Sequence, residues 1–148
     1  MEAVIFIGIQ GSGKSSFFKE RFFTTHVRIS LDLLKTRNRE RRMLDLCLET
    51  GQRFVVDNTS PTRAERAPYI QAATEAKYSV VAYYFQSQVD DCLQRNQQRP
   101  KAERVPDVAI FATAKKLERP TLTEGFTKLY YVRLEAGQFV VEEWHDEI

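Results

Sequence analysis

No stretch of this chain is apolar for long enough to span a bilayer. The apolar run near its start is also too short for a secretory signal, and it passes straight into a glycine-rich turn. Cysteine is scarce. Cys47 and Cys92 are far apart, without C-x-x-C spacing, which argues against a disulfide framework and for reduced, packed thiols in a cytoplasmic protein. Charge of one sign is lacking too: the net charge of +2 gives no global attraction for a polyanion, so any such site must be a local patch. Repeats, low-complexity tracts and linker-like runs are absent. Residues 1–148 therefore read as one domain, with the 43% hydrophobic content of an ordinary core-forming chain.

What is present is organised around Gly8-Ile9-Gln10-Gly11-Ser12-Gly13-Lys14-Ser15. Val4-Ile5-Phe6-Ile7 precedes it as a strand, and Ser16-Phe17-Phe18-Lys19 follows it as a helix start. This is the G-x-x-x-x-G-K-[ST] phosphate-binding loop in its required strand–turn–helix context. Glycines let successive N–H groups converge on one phosphate chain, and the helix N-terminus adds its positive dipole end. Lys14 is placed to reach the β and γ phosphates of a nucleoside triphosphate, and the Ser15 hydroxyl to ligate Mg²⁺.

Along the chain, a helix is expected from about Gly13 to Phe23, with Phe17, Phe18 and Phe22 facing a sheet. Val27–Ser30 reads as a second strand, and Leu31–Thr50 as one helix stopped by Gly51. Arg53–Asp57 is a third strand. Ser60-Pro61 reads as a helix N-cap and first turn, with the helix running to about Ala76 and kinked or split at Pro68. Tyr78–Phe85 is a fourth strand, and Ser87-x-x-Asp90 a capping-box start for a helix through Arg95 or Gln98. Arg99–Val105 reads as a polar loop, with Gln98–Val105 mobile when no nucleotide is bound, and Pro106 opens a helix to about Leu117. Phe126–Leu134 and Gln138–Val141 are late strands joined by a hairpin turn. Alternating strands and helices give an α/β class: a P-loop nucleotide-kinase-like parallel sheet with helices on both faces and a short arginine-bearing lid.

Three residue groups narrow the chemistry. Asp32 follows the second strand and should open into the same crevice as the loop, either accepting a proton from an attacking hydroxyl or capping the next helix. Asp57 ends an apolar strand, the place of a Walker B aspartate that holds Mg²⁺, or else a turn residue. Arg95 and Arg99 share a helix face and either neutralise a transferring phosphoryl group or form a solvated helix end. The basic cluster Lys35, Arg37, Arg39, Arg41 and Arg42 either tracks a nucleic-acid backbone or points in several directions as solvated charge.

With these residues in view, the chain resembles the 5′-polynucleotide kinases, notably the kinase domain of the polynucleotide kinase/phosphatase enzymes, over nearly its whole length. Gly8 to Ser15 answers their G-x-P-G-[SA]-G-K-S loop, and Ser30-Leu31-Asp32 their N-R-D. Asp57-Asn58-Thr59-Ser60, with Arg63 or Arg66 behind it, answers D-N-T-N and its following arginine. Arg95-Asn96-Gln97-Gln98-Arg99, then Val105-Pro106, answers the lid element, and Pro120-Thr121-Leu122-Thr123-Glu124-Gly125-Phe126 answers P-T-L-x-E-G-F. The resemblance implies transfer of the ATP γ-phosphate to 5′-hydroxyl ends of DNA or RNA. Asp32 would be the general base, with Lys14 and Arg99 on the transferring group. Gly8, Gly11, Ser12, Gly13, Lys14, Ser15, Ser16, Arg95 and Arg99 would hold the nucleotide. Ser15 and Asp57 would hold Mg²⁺, and Asp32, Lys35, Asn58, Thr59 and Arg63 would meet the acceptor.

The departures are Leu31 for an arginine, Gln10 for a proline, and Lys35 where an arginine meets the acceptor phosphate, which loses the bidentate fork. No D-x-D-x-T motif is present, so a separate phosphatase or ligase partner would supply further end processing. A small-molecule hydroxyl kinase of the same fold and a non-catalytic ATP-binding regulatory module are the competing expectations. Neither N-K-x-D nor a D-x-x-G after the third strand is present, against a regulatory GTPase. The length argues against AAA-type motor assembly.

Overall fold

The apolar run before the glycine turn becomes β1 (Glu2–Ile7), the centre of a six-stranded sheet, in a computed structural model that describes all of residues 1–148. The other strands are β2 (Val27–Ile29), β3 (Phe54–Val56), β4 (Ser79–Phe85), β5 (Lys128–Glu135) and β6 (Gln138–Glu143). Their order across the sheet is β2-β3-β1-β4-β5-β6; the first five are parallel and β6 is antiparallel. The hairpin joining β5 to β6 turns through Ala136 and Gly137, both at positive φ (50° and 77°).

Helices cover both faces, as the strand–helix alternation predicts. Along β1 the side chains divide by the period of two. Ala3, Ile5 and Ile7 face α3 (Arg37–Thr50) and α4 (Arg63–Glu75), which contribute Leu44, Cys47, Tyr69, Ile70 and Ala73. Val4 and Phe6 face α1 (Lys14–Arg21) and the residue that ends it, through Phe17, Phe18 and Phe22. Each such phenyl ring, taken fully out of water, contributes about 1.5–3 kcal/mol. A third, smaller cluster joins Ile9 to Cys92 of α5 (Val89–Gln98) and Ile110 of α6 (Asp107–Lys116). Both cysteines are free and buried.

Four local expectations are corrected. The helix expected over Leu31–Thr50 is two: α2 (Leu31–Leu34) ends at Lys35, whose φ of 73° breaks the helix, and Thr36 restarts it by accepting the Arg39 N–H at 3.2 Å. Thr62, not Ser60, caps α4, in a reciprocal pair with Glu65 (3.1 and 3.3 Å), because Ser60 sits at φ 43°. α4 is not split at Pro68: one helix runs through it, and the one hydrogen bond lost there is outweighed by the capping box and by burial of Tyr69, Ile70 and Ala73. Ser87 is not the cap of α5. Its hydroxyl donates to the Phe85 carbonyl at 2.8 Å and accepts the Ile9 N–H at 3.2 Å, which fastens the glycine loop to β4. Arg99–Val105 is a loop as expected, with one 3-10 turn at Lys101–Glu103.

Candidate active site

The carboxyl ends of parallel strands form the mouth of such a sheet, and here they gather the residues that the spacing singles out. The loop after β1 is pinned from three sides. Gly8 donates its N–H to Thr59 O (3.1 Å), Ile9 to Ser87, and Arg95 reaches from α5 to Gly11 O at 2.8 Å. Gly11 (φ 82°) lies so close to α5 that a Cβ there would stand 2.5 Å from Cys92 O. Gly13 (φ 101°) admits the rings and methyls of Phe139 and Leu134 at the start of α1. Only glycine satisfies both conditions. The Ser12 N–H is spent on Ile9 O at 3.2 Å, while the first-turn N–H groups of α1, from Lys14 and Ser15 through Ser16, have no partner within the helix. Gln10 takes up its departure from proline by donating to Thr113 of α6 at 3.0 Å, so the loop is tied to α6 as well.

Lys14 is buried and folds back over its own loop, donating to Gly8 O and Ile9 O at 2.9 Å each. Burial lowers its pKa to about 8, against the opposing pull of the Asp57 carboxylate; the charges of Arg99 and Asp32 also reach it. Unfolded, the same ammonium titrates near its ordinary value. The folded protein therefore binds fewer protons between pH about 8 and about 10.4, and its stability rises across that window. A bound triphosphate stabilises the charged lysine. We expect ATP affinity to fall as pH climbs past about 8, with proton uptake on binding near that pH, read by calorimetry in two buffers of different ionisation enthalpy. Affinity flat from about pH 7 to about pH 9.5 would overturn this.

Asp57 follows β3 and its carboxylate is buried, with the side chain 2% exposed. Its Oδ2 accepts from Ser15 Oγ at 3.2 Å and from Arg28 Nε at 2.8 Å, and Arg28 Nη2 donates to Ser15 Oγ at 3.1 Å. The arrangement follows from register: Arg28 of β2 pairs with Val55, which faces α1, and Asp57 is two residues on, on that same face. A hydroxyl and a carboxylate, both hard oxygens and already bridged by a positive group, fit a divalent ion such as Mg²⁺. Arg28 was not legible as a site residue. Its one signal is a lone arginine inside a three-residue strand.

Asp32 lies in the first turn of α2, exposed, and Ser30 holds the N-cap position instead. The segment that carries it is set from below. Asn58 accepts the Leu31 N–H at 2.9 Å and donates to Glu40 at 2.8 Å; buried Glu40 also accepts from Tyr69 (2.8 Å) and Arg37 (3.1 Å). Burial, then the Glu40 carboxylate, push the Tyr69 phenol up to about 12, so it stays a donor at any physiological pH. Asn58 is thereby committed to holding the Asp32 segment. Glu40, which sequence shows only as an interruption in a basic run, is the hub of that network.

The remaining residues divide between mouth and frame. Arg99 ends α5, half-buried, and Asn96 closes the base of the lid loop, donating to Val105 O (2.7 Å) and accepting its N–H (3.1 Å). Lys35 is exposed at the end of α2, and Arg63 is exposed at the start of α4. Of the two arginines that follow Asp57, Arg66 is the buried one. It pairs with Glu124 and donates to the Ser60 and Glu118 carbonyls, joining two of the motifs quoted above.

Residues 32–120, more than half of the chain, match a family model described as AAA domain; the match concerns the domain and says nothing of motor assembly. The chain is 26% identical, over 148 residues, to the bifunctional polynucleotide phosphatase/kinase of Schizosaccharomyces pombe. That match covers 97% of this chain and 36% of the fission-yeast protein, so the chain spans about a third of that relative's length. In fold it is similar to a gluconokinase from Sinorhizobium meliloti (TM-score 0.64, 18% identity, 89% of this chain and 82% of that one). It is also similar to an APS kinase of Mycobacterium tuberculosis (TM-score 0.53, 19% identity, 81% and 83%). The phosphate loop, the parallel-sheet order and the family match agree: this chain belongs to the AAA domain family, on a P-loop kinase fold, and resembles the P-loop polynucleotide kinases.

Proposed function

We propose that this chain is an ATP-dependent kinase that phosphorylates 5′-hydroxyl ends of DNA or RNA. The observation that carries the reading is the position of Asp32: an exposed carboxylate at the sheet's mouth, its charge felt by Lys14, its backbone held by the Asn58–Glu40–Tyr69 network. Sequence likeness to the fission-yeast phosphatase/kinase supports the acceptor class.

In this reading Lys14 leaves Gly8 O and Ile9 O for the β and γ phosphates, and the free N–H groups of the loop and of α1 take the remaining oxygens. Ser15 and Asp57 would hold Mg²⁺, which when bound would supply charge neutralisation to the triphosphate. Asp32 orients the acceptor hydroxyl and takes its proton as the new P–O bond forms in line with the leaving ADP oxygen. Arg99, with Arg95 fixing the loop beneath it, neutralises charge on the transferring group. Lys35, Arg39 and Arg42, exposed in the segment that follows Asp32, offer point charges to a strand's phosphates; Arg37 is partly committed to Glu40 and Arg41 to Asp45. The buried free thiols Cys47 and Cys92 accord with a reducing, cytoplasmic setting.

Leu31 and Lys35, which stand where the resembled family has arginines, favour a second reading: a kinase for a small hydroxylated metabolite. The deciding experiment offers γ-labelled ATP with 5′-hydroxyl oligonucleotides, as DNA and as RNA, beside a panel of sugars and nucleosides. Label at the oligonucleotide 5′ end is the expected result. Label only on a small hydroxyl compound would replace the reading with the second one.

A further inference from the structure

The pair of oxygens best suited to a divalent ion is already engaged by a cation of the protein's own. Arg28 Nε lies 2.8 Å from Asp57 Oδ2, Arg28 Nη2 lies 3.1 Å from Ser15 Oγ, and Ser15 completes the ring to the same Oδ2 at 3.2 Å. The Arg28 side chain is 27% exposed against 2% for Asp57: the arginine lies at the rim and covers the buried carboxylate. A metal ion entering alone meets a guanidinium already held on Asp57 Oδ2 and Ser15 Oγ by charge-assisted bonds. It would add a second positive charge beside that guanidinium, near enough to Lys14 that the Asp57 charge reaches the lysine too. A triphosphate removes this obstacle, because its negative charge compensates all three cations together.

We propose that Arg28 is a resident counter-cation of the metal site. It holds Ser15 and Asp57 in ligand position while the nucleotide is absent, and it bars divalent ions from binding until the triphosphate arrives with them. Arg28 is thus a positioning residue that sets the order of binding. The inference rests on the proposed Mg²⁺ role of Ser15 and Asp57 and is independent of which acceptor the enzyme uses.

The test measures metal binding without turnover. Mn²⁺ is titrated into the nucleotide-free protein and its free signal followed by electron paramagnetic resonance. Arg28→Gln should bind Mn²⁺ at least about tenfold more tightly than the unaltered chain, the weight of a hydrogen bond to a charged group. The double variant Arg28→Gln/Asp57→Asn should lose that gain. Equal affinities with and without Arg28, or a gain that survives loss of Asp57, would overturn the proposal. A second measurement needs no variant. The Arg28 Nε–H resonance should stay in place when Mg²⁺ is added alone and move when ATP and Mg²⁺ are added together. Movement with Mg²⁺ alone would overturn the proposal equally.

Discussion

Asp32→Asn is expected to slow phosphoryl transfer by roughly 10²- to 10⁴-fold, the usual contribution of a positioned general base, while ATP binding is unchanged. Asparagine keeps the size of aspartate and its ability to hold a hydroxyl but cannot take the proton. The side chain is exposed and is not the cap of α2, so stability should move by no more than about 0.5 kcal/mol. The loss should therefore appear in kcat and not in the melting temperature. Single-turnover transfer with labelled ATP, together with calorimetric ATP binding, separates the two. Activity within tenfold of the unaltered chain would remove Asp32 from the role, whatever the acceptor turned out to be. Glu40→Gln supplies a contrast: it keeps the shape of the hub that holds Asn58 and the Leu31 N–H but weakens it, without touching the proposed base.

The second large effect concerns stability. Arg66 is wholly buried and forks onto both oxygens of Glu124, at 2.9 and 3.3 Å, while its third nitrogen serves the Ser60 and Glu118 carbonyls at 3.1 Å each. Glu124 is itself only 8% exposed. Removing one partner leaves an uncompensated charge out of reach of water, so Glu124→Ala or Arg66→Ala should each cost about 3–5 kcal/mol. For a chain of this size that is a fall on the order of 10 °C in melting temperature. Urea unfolding measures it directly, and a loss below about 1 kcal/mol would refute the assignment. Lys116→Ala, which breaks the exposed 3.8 Å pair with Glu65, should by contrast cost about 0–1 kcal/mol. The effect of Arg66 should extend to the site, since the Ser60–Pro61 backbone it holds follows Thr59, whose carbonyl anchors Gly8.

No helix of the structure is long and apolar enough to cross a membrane, in line with the sequence. Much else was legible because it depends on local pattern. Short continuous apolar runs gave the strands. The phenylalanines at helical spacing in and just after α1 gave a sheet-facing helix. The Gly11 and Gly13 spacing ahead of Lys14 gave the phosphate loop, because only a few backbone geometries suit that residue order. What failed locally failed for a stated reason. Lys35 and Ser60 take positive φ, which composition does not announce in lysine or serine, and so the pattern reads as a helix through one and a helix start at the other.

The amino-acid sequence by itself determined the phosphate loop and the α/β class, which rest on residue type and short spacing, and it offered Lys14, Ser15, Asp32, Asp57 and Arg99 as candidate positions, Asp32 and Arg99 chiefly through the family resemblance. Only the tertiary structure decided which charges meet. Arg28 came to Asp57 and Ser15 because β2 lies beside β3 in one register, Glu40 came beneath Asn58, and Arg66 came to Glu124 across 58 positions of chain. Such pairings are long-range and set by packing geometry, and an isolated arginine or glutamate carries no mark of the partner that the fold will bring to it.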